Sequence, residues 1–191
     1  MGIAGLDRLA AVFLDRDGVL NATRTGSDGV PRPPESADAL VVLPGVVDAC
    51  LGLRGAGFRL IVVTNQPDVA RGVQRPEIVE EINGALLSKV PVDEILVCYH
   101  DDADRCSCRK PKPGLLLEAA ERWKIDLSRS FMVGDRWRDV EAGHNAGCRS
   151  VLIAEASWEQ ERCAPDYTAS SFSIAAEWIL AQNESRQEGR G

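Results

Sequence analysis

An apolar run, Ala11-Val12-Phe13-Leu14, ends in two carboxylates, Asp15 and Asp17, with Gly18 directly after them. The run has the length and composition of a short buried strand, so charge at its end is costly unless something answers it. Side chains in an extended segment repeat every second residue, which would turn both carboxylates to one side if strand geometry persisted. Two converging carboxylates repel unless a cation or a shared proton sits between them. Mg²⁺, a hard ion that takes oxygen ligands, is the natural cation. The alternative is a loop carrying two solvated aspartates, and the rest of the chain must decide between the two.

A second cluster lies in mid-chain. Cys98, His100, Cys106 and Cys108 place three thiols and an imidazole within eleven residues, the ligand set of a closed tetrahedral Zn²⁺ site. Four protein ligands leave no position for water, so such a zinc would be structural. The alternative is a reduced loop with incidental cysteines. Arg109-Lys110-Pro111-Lys112-Pro113-Gly114 follows directly, so a metal here would fix where Arg109 and Lys110 point. Cys50, Cys148 and Cys163 read as isolated, reduced residues.

The elements that must position these groups alternate. After the first strand, Ala22 to Leu40 is rich in Gly, Ser and Pro and reads as a long loop with a small hairpin over the strand's C-terminal end. A helix is expected from Val46 to near Gly55, then a strand from Phe58 to Val63 ending in Thr64-Asn65-Gln66. A helix from Pro76 to Val90, a strand over Ile95 to Val97 and a helix from Pro113 to Trp123 follow. Ser130 to Val133 is a strand running into Gly134-Asp135, Asp139 to Ala146 a helix, Ser150 to Ile153 a strand and Ile174 to Ala181 a last helix. This order predicts an α/β protein, a Rossmann-like parallel sheet with helices on both faces. Ligands bind beyond the carboxyl ends of such strands, where Asp15, Thr64 and Asp135 all fall.

The 191 residues suffice for one domain, expected over 1–182, with a polar, disordered tail over 183–191. A net charge of −7 without a long Lys/Arg cluster argues against nucleic acid as a partner. Met1 to Ala10 lacks the apolar stretch of a signal peptide, and no segment has the length of a membrane span. A cytoplasmic protein with a small anionic substrate is the expectation, and a monomer is the default.

Asp15-x-Asp17-Gly18, Thr64-Asn65, Lys110 and Gly134-Asp135-x-x-x-Asp139, in this order, resemble the four motifs of the haloacid dehalogenase-like (HAD) phosphatases over residues 11–153. The resemblance implies that Asp15 is the nucleophile that forms an aspartyl-phosphate, and that Asp17 protonates the departing alkoxide and later deprotonates water. It implies Mg²⁺ held by Asp15, the main-chain carbonyl of Asp17, and Asp135, with Asp139 orienting that shell. Thr64 and the N–H of Asn65 would bind phosphate oxygens, and Lys110 would neutralise the Asp15 and phosphate pair.

Within that family, Cys-x-His…Cys-x-Cys-Arg-Lys-Pro-x-Pro-Gly together with Asp-Arg-Asp-Gly-Val-Leu-Asn is similar to the D-glycero-D-manno-heptose 1,7-bisphosphate phosphatases and the related histidinol-phosphate phosphatases. These proteins lack a large cap domain, and no gap here is long enough for one. Specificity would then lie in 26–34, 66–74 and the zinc loop, with Arg109 and Arg71 gripping a second anionic group. The chain departs from the subgroup at Gln66-Pro67-Asp68-Val69-Ala70-Arg71-Gly72, where heptose enzymes commonly have Gln-Ser-Gly-Ile-Ala-Arg-Gly, and in the 22–40 segment. The basic residues favour a sugar bisphosphate. Histidinol phosphate or another small phosphosugar is the alternative substrate, and a non-catalytic, zinc-stabilised binding module is the rival of another class.

Overall fold

A computed structural model describes residues 9–26, 29–153 and 162–188. Its centre is a sheet of six parallel strands: β1 (Ala11–Leu14), β4 (Arg59–Asn65), β5 (Glu94–Cys98), β6 (Phe131–Gly134), β7 (Arg149–Ile153) and β8 (Tyr167–Ala169), in the spatial order β5-β4-β1-β6-β7-β8. β2 (Arg24–Thr25) and β3 (Pro31–Arg32) form the small antiparallel hairpin expected in the long loop. The helices are α1 (Val46–Gly55), α2 (Pro76–Lys89), α3 (Gly114–Trp123), α4 (Trp137–Ala146) and α5 (Phe172–Glu188).

Alternating side chains of the buried strands divide the core into two layers. Val12, Leu14, Leu60, Val62, Phe131 and Val133 pack with residues of α1, α2 and α5. Their neighbours Ala11, Phe13, Ile61, Val63 and Met132 face α3 and α4 on the other side. The sheet is therefore covered on both faces, which is why its strands read as unbroken apolar runs.

From β1 the chain builds outward through β4 to β5, then returns to the other side of β1 for β6, β7 and β8. Strand order reverses at β1, and the crevice at its carboxyl end is where a sheet of this kind binds ligands. No described helix is long and apolar enough to cross a membrane.

Three expectations change. β8 escapes detection in the sequence because Ala169 alone of its three residues is buried. α4 begins at Trp137 rather than Asp139, because Asp139 turns back to accept the Arg136 N–H at 3.0 Å and so closes the first turn. The polar tail expected from Asn183 is helical as far as Glu188, where Glu184, Arg186, Gln187 and Glu188 are good helix formers; 189–191 lie outside the described residues.

Candidate active site

β1 delivers Asp15 to the crevice, and the Asp15 N–H still bonds Val133 O of β6 at 2.9 Å. There the strand stops. Gly18 has φ +87°, a left-handed conformation that side chains resist, and it turns the chain away. Asp17 falls outside the acidic cluster that Asp15 joins. The acidic partners of Asp15 are instead Asp135 and Asp139, whose oxygens lie with its own within 4.8 Å.

Close approach of main chain makes this cluster possible. A Cβ at Gly18 would lie 2.5 Å from Asp135 Oδ2, and one at Gly134 would lie 2.1 Å from the Asp139 Cβ. Both glycines are required by space.

Lys110 answers the charge. Its Nζ is 2.9 Å from Asp15 Oδ1 and 2.5 Å from Asp139 Oδ1, and it donates to Val63 O at 2.8 Å, so all three ammonium donors are used. Burial opposes the charge on Lys110, but Asp139 and Asp15 outweigh it and hold the ammonium well above its ordinary range. Burial pushes the Asp15 carboxyl up to about 6 despite Lys110. Asp135 is pushed up to about 8, by burial first and then by the charges of Asp15 and Asp139.

Asp135 Oδ1 is buried without a hydrogen-bond partner among the described residues, while the two oxygens of Asp139 are taken by Lys110 and the Arg136 N–H. An orphaned carboxylate oxygen beside the Asp15 carboxylate fits a hard divalent cation such as Mg²⁺.

Asp17 sits in a separate set of donors. Asn21 Nδ2 donates to its Oδ1 at 2.9 Å, while its Oδ2 accepts from Gln66 Nε2 at 2.9 Å and from Arg16 Nη2 at 3.0 Å. Gln66 Nε2 also donates to Thr64 Oγ1 at 2.9 Å, which links the end of β4 to Asp17. Thr64 is buried at that strand end, as expected. Asn65 acts through its side chain, bonding both main-chain groups of Lys110. Arg16, Asn21 and Gln66 carry no sequence signal beyond being polar groups beside apolar runs, because the partners that define them lie across the fold.

Cys98, at the end of β5, meets His100, Cys106 and Cys108 as the spacing predicted. Cys98 Sγ is 3.8 Å from Cys106 Sγ and 3.3 Å from Cys108 Sγ, and His100 Nδ1 is 3.2 Å from Cys108 Sγ. Thiolates about 2.3 Å from a tetrahedral Zn²⁺ would stand roughly 3.8 Å apart, so the four groups fit zinc with little movement.

The two arginines expected to face an anion are held by carboxylates of the same loop. Arg71 forms a two-pronged pair with Asp101, both bonds 2.8 Å. Arg109 Nε donates to Asp102 Oδ1 at 2.9 Å, and Arg138 of α4 shares that oxygen at 2.8 Å. Arg138 and Arg109 together hold the Asp102 carboxyl well below the usual range.

Comparison with known proteins agrees with the architecture. A family model described as HAD-hydrolase-like matches residues 107–175. A D-glycero-beta-D-manno-heptose-1,7-bisphosphate 7-phosphatase of Yersinia pestis is 34% identical over 182 residues, 89% of each chain. One of Pseudomonas putida is 36% identical over 172 residues, 86% of this chain and 95% of its own. Among solved structures, a D,D-heptose 1,7-bisphosphate phosphatase of B. bronchiseptica, complexed with magnesium and phosphate, superposes with a TM-score of 0.78 at 29% identity over 91% of this chain and 99% of its own. With its parallel sheet, its aspartates at the strand ends and relatives of this identity across most of its length, the chain belongs to the haloacid dehalogenase-like phosphatases, in the heptose-bisphosphate phosphatase group.

Proposed function

We propose that this phosphatase removes the 7-phosphate of D-glycero-D-manno-heptose 1,7-bisphosphate through an aspartyl-phosphate on Asp15. The observation that carries the reading is the buried Lys110 bridging Asp15 and Asp139 beside the unpartnered Oδ1 of Asp135. It is a nucleophile carboxylate with its charge balanced on one side and a cation-seeking oxygen on the other.

Asp15 and Asp135, with the main-chain carbonyl of Asp17, would hold Mg²⁺, and Asp139 would orient them while fixing Lys110. The ion would supply charge neutralisation at the transferring phosphoryl group. An Asp15 oxygen attacks phosphorus, a P–O bond forms to Asp15 and the bond to the sugar oxygen breaks. Asp17 gives that leaving oxygen a proton. Water then attacks phosphorus, Asp17 takes its proton, and Asp15 leaves as carboxylate with inorganic phosphate as product. The Thr64 hydroxyl and the Asn65 N–H would bind phosphate oxygens, and Lys110 would hold the charge of Asp15 and the phosphate together.

Zn²⁺ on Cys98, His100, Cys106 and Cys108 would keep the loop that carries Arg109 in place. The second phosphate of the substrate would compete with Asp102 and Asp101 for Arg109 and Arg71. Those same aspartates support a second reading, histidinol phosphate, whose ammonium they could receive.

Phosphate release from heptose 1,7-bisphosphate, histidinol phosphate and other phosphosugars tests both, with Asp15→Asn as control. The expected result is fastest release from the heptose bisphosphate and none from Asp15→Asn. Preference for histidinol phosphate would replace the first reading with the second, and equal release by Asp15→Asn would end the covalent mechanism.

A further inference from the structure

Arg16 is fully buried, yet it is charged and lies between the two aspartates that close β1. Its Nε and Nη2 donate to Asp17 Oδ2 at 3.2 and 3.0 Å, and its Nη1 donates to Asn83 Oδ1 at 2.7 Å. Asn83 is itself buried, on α2. Stability alone does not account for this arrangement, because a buried ion pair is commonly no better for stability than apolar side chains of the same volume.

What the pair does provide is geometry. Asp17 follows the end of β1, and its backbone is tied by an isolated bridge to Asn21 rather than by the sheet. A guanidinium is planar, permanently charged and rigid, and here it is pinned from behind by an amide on a helix. It also divides the two oxygens of Asp17. Oδ2 accepts from Arg16 twice and from Gln66, which fills its lone pairs, whereas among the described residues Oδ1 accepts only from Asn21.

We propose that Arg16 is a positioning residue for proton transfer: braced by Asn83, it fixes the Asp17 carboxyl so that Oδ1 is the oxygen that carries the proton to the leaving group. The role rests on the acid–base reading of Asp17. It ties α2, an element without a ligand contact of its own in the mechanism, to the chemical step.

The test compares leaving groups. A sugar phosphate expels an alkoxide that needs a proton, while p-nitrophenyl phosphate expels a phenolate that does not. Their kcat/KM values report transfer to Asp15, before water enters. Arg16→Met is expected to lower kcat/KM for the best sugar phosphate by about 10- to 100-fold and to leave p-nitrophenyl phosphate within about threefold. Arg16→Lys should recover part of the loss. Asn83→Ala should shift the ratio in the same direction by less, and it carries the test if circular dichroism shows Arg16→Met unfolded. Asp17→Asn sets the full size of the effect.

Equal loss on both substrates in the Arg16 and Asn83 variants, with selective loss in Asp17→Asn, would overturn the role of Arg16 alone. Loss without selectivity in Asp17→Asn would remove the acid–base reading, and the role of Arg16 with it.

Discussion

The side-chain amide of Asn65 clasps the main chain of Lys110: Oδ1 accepts the Lys110 N–H at 3.1 Å and Nδ2 donates to the Lys110 carbonyl at 3.2 Å. The end of β4 thereby fixes the residue that neutralises Asp15, across 45 positions of sequence. Removing the clasp in Asn65→Ala costs about 2 kcal/mol of stability, roughly 1 per hydrogen bond. Activity should suffer more, because Lys110 would be free to drift: kcat/KM is expected to fall about 100-fold. Thermal melting and phosphate release on one preparation check this, and loss of stability without loss of activity would show that Asp15, Asp139 and Val63 O hold Lys110 without Asn65.

Lys110 itself supplies the second prediction. Lys110→Met keeps the volume and deletes the charge, leaving the partly buried Asp15 and the buried Asp139 facing each other. Breaking a buried pair from one side typically costs about 3–5 kcal/mol. The loss should shrink at pH 5, where Asp15 can take a proton to replace the missing cation. Urea denaturation at pH 5 and pH 8 measures it, and equal destabilisation at both would contradict the charge argument.

Much of this site is legible in the sequence because parallel strands buried on both faces are unbroken apolar runs, and the polar residues that end them stand out. Asp15, Thr64 and Asp135 are found that way, and the four zinc-like ligands by spacing. What is not legible depends on where the chain turns or on contacts between distant segments. Asp17 is held by Asn21, Gln66 and Arg16, a set of donors that no local period announces. Arg16 meets Asn83 at a separation of 67 residues, which no local period encodes. The pairing of Arg71 and Arg109 with Asp101 and Asp102 follows from a short turn, Asp102–Asp104, capped by the Asp101 side chain.

The aspartates of the cluster predict a pH dependence. Asp15 and Asp135 have folded-state values near 6 and 8 against an ordinary value of 3.8, in both cases chiefly through burial. Between about pH 4 and pH 8 the folded chain therefore holds protons that the unfolded chain has lost, and its stability falls as pH rises through that window. Mg²⁺ bound by the same oxygens would compete with those protons, so its stabilising effect should grow as they leave. In calorimetry, with chelator or with millimolar Mg²⁺, the rise in Tm on adding Mg²⁺ should be larger at pH 8 than at pH 5. A shift independent of pH would mean that the ion does not bind these carboxylates.

The loop from Cys98 to Lys110 predicts how a zinc ion bound there would divide its effect between binding and chemistry. Cys98 is fixed by β5, and Cys108 stands two residues before Lys110. A cation joining them would hold both ends of the loop, and Arg109 and Asp102 travel with it. Lys110 has further anchors in Asn65, Asp15, Asp139 and Val63 O, whereas Arg109 is held by Asp102 and the His100 carbonyl, both within the loop. Losing zinc should therefore disturb Arg109 more than Lys110. Cys106→Ser, or verified removal of zinc, is expected to lower Tm and raise KM for the bisphosphate by roughly tenfold, with a smaller change in kcat. Metal analysis of the wild type should return one zinc per chain. If Tm and KM are unchanged once zinc is gone, the loop holds its shape through the Asp101, Asp102 and Arg109 contacts alone, and the thiols have no structural part in the site.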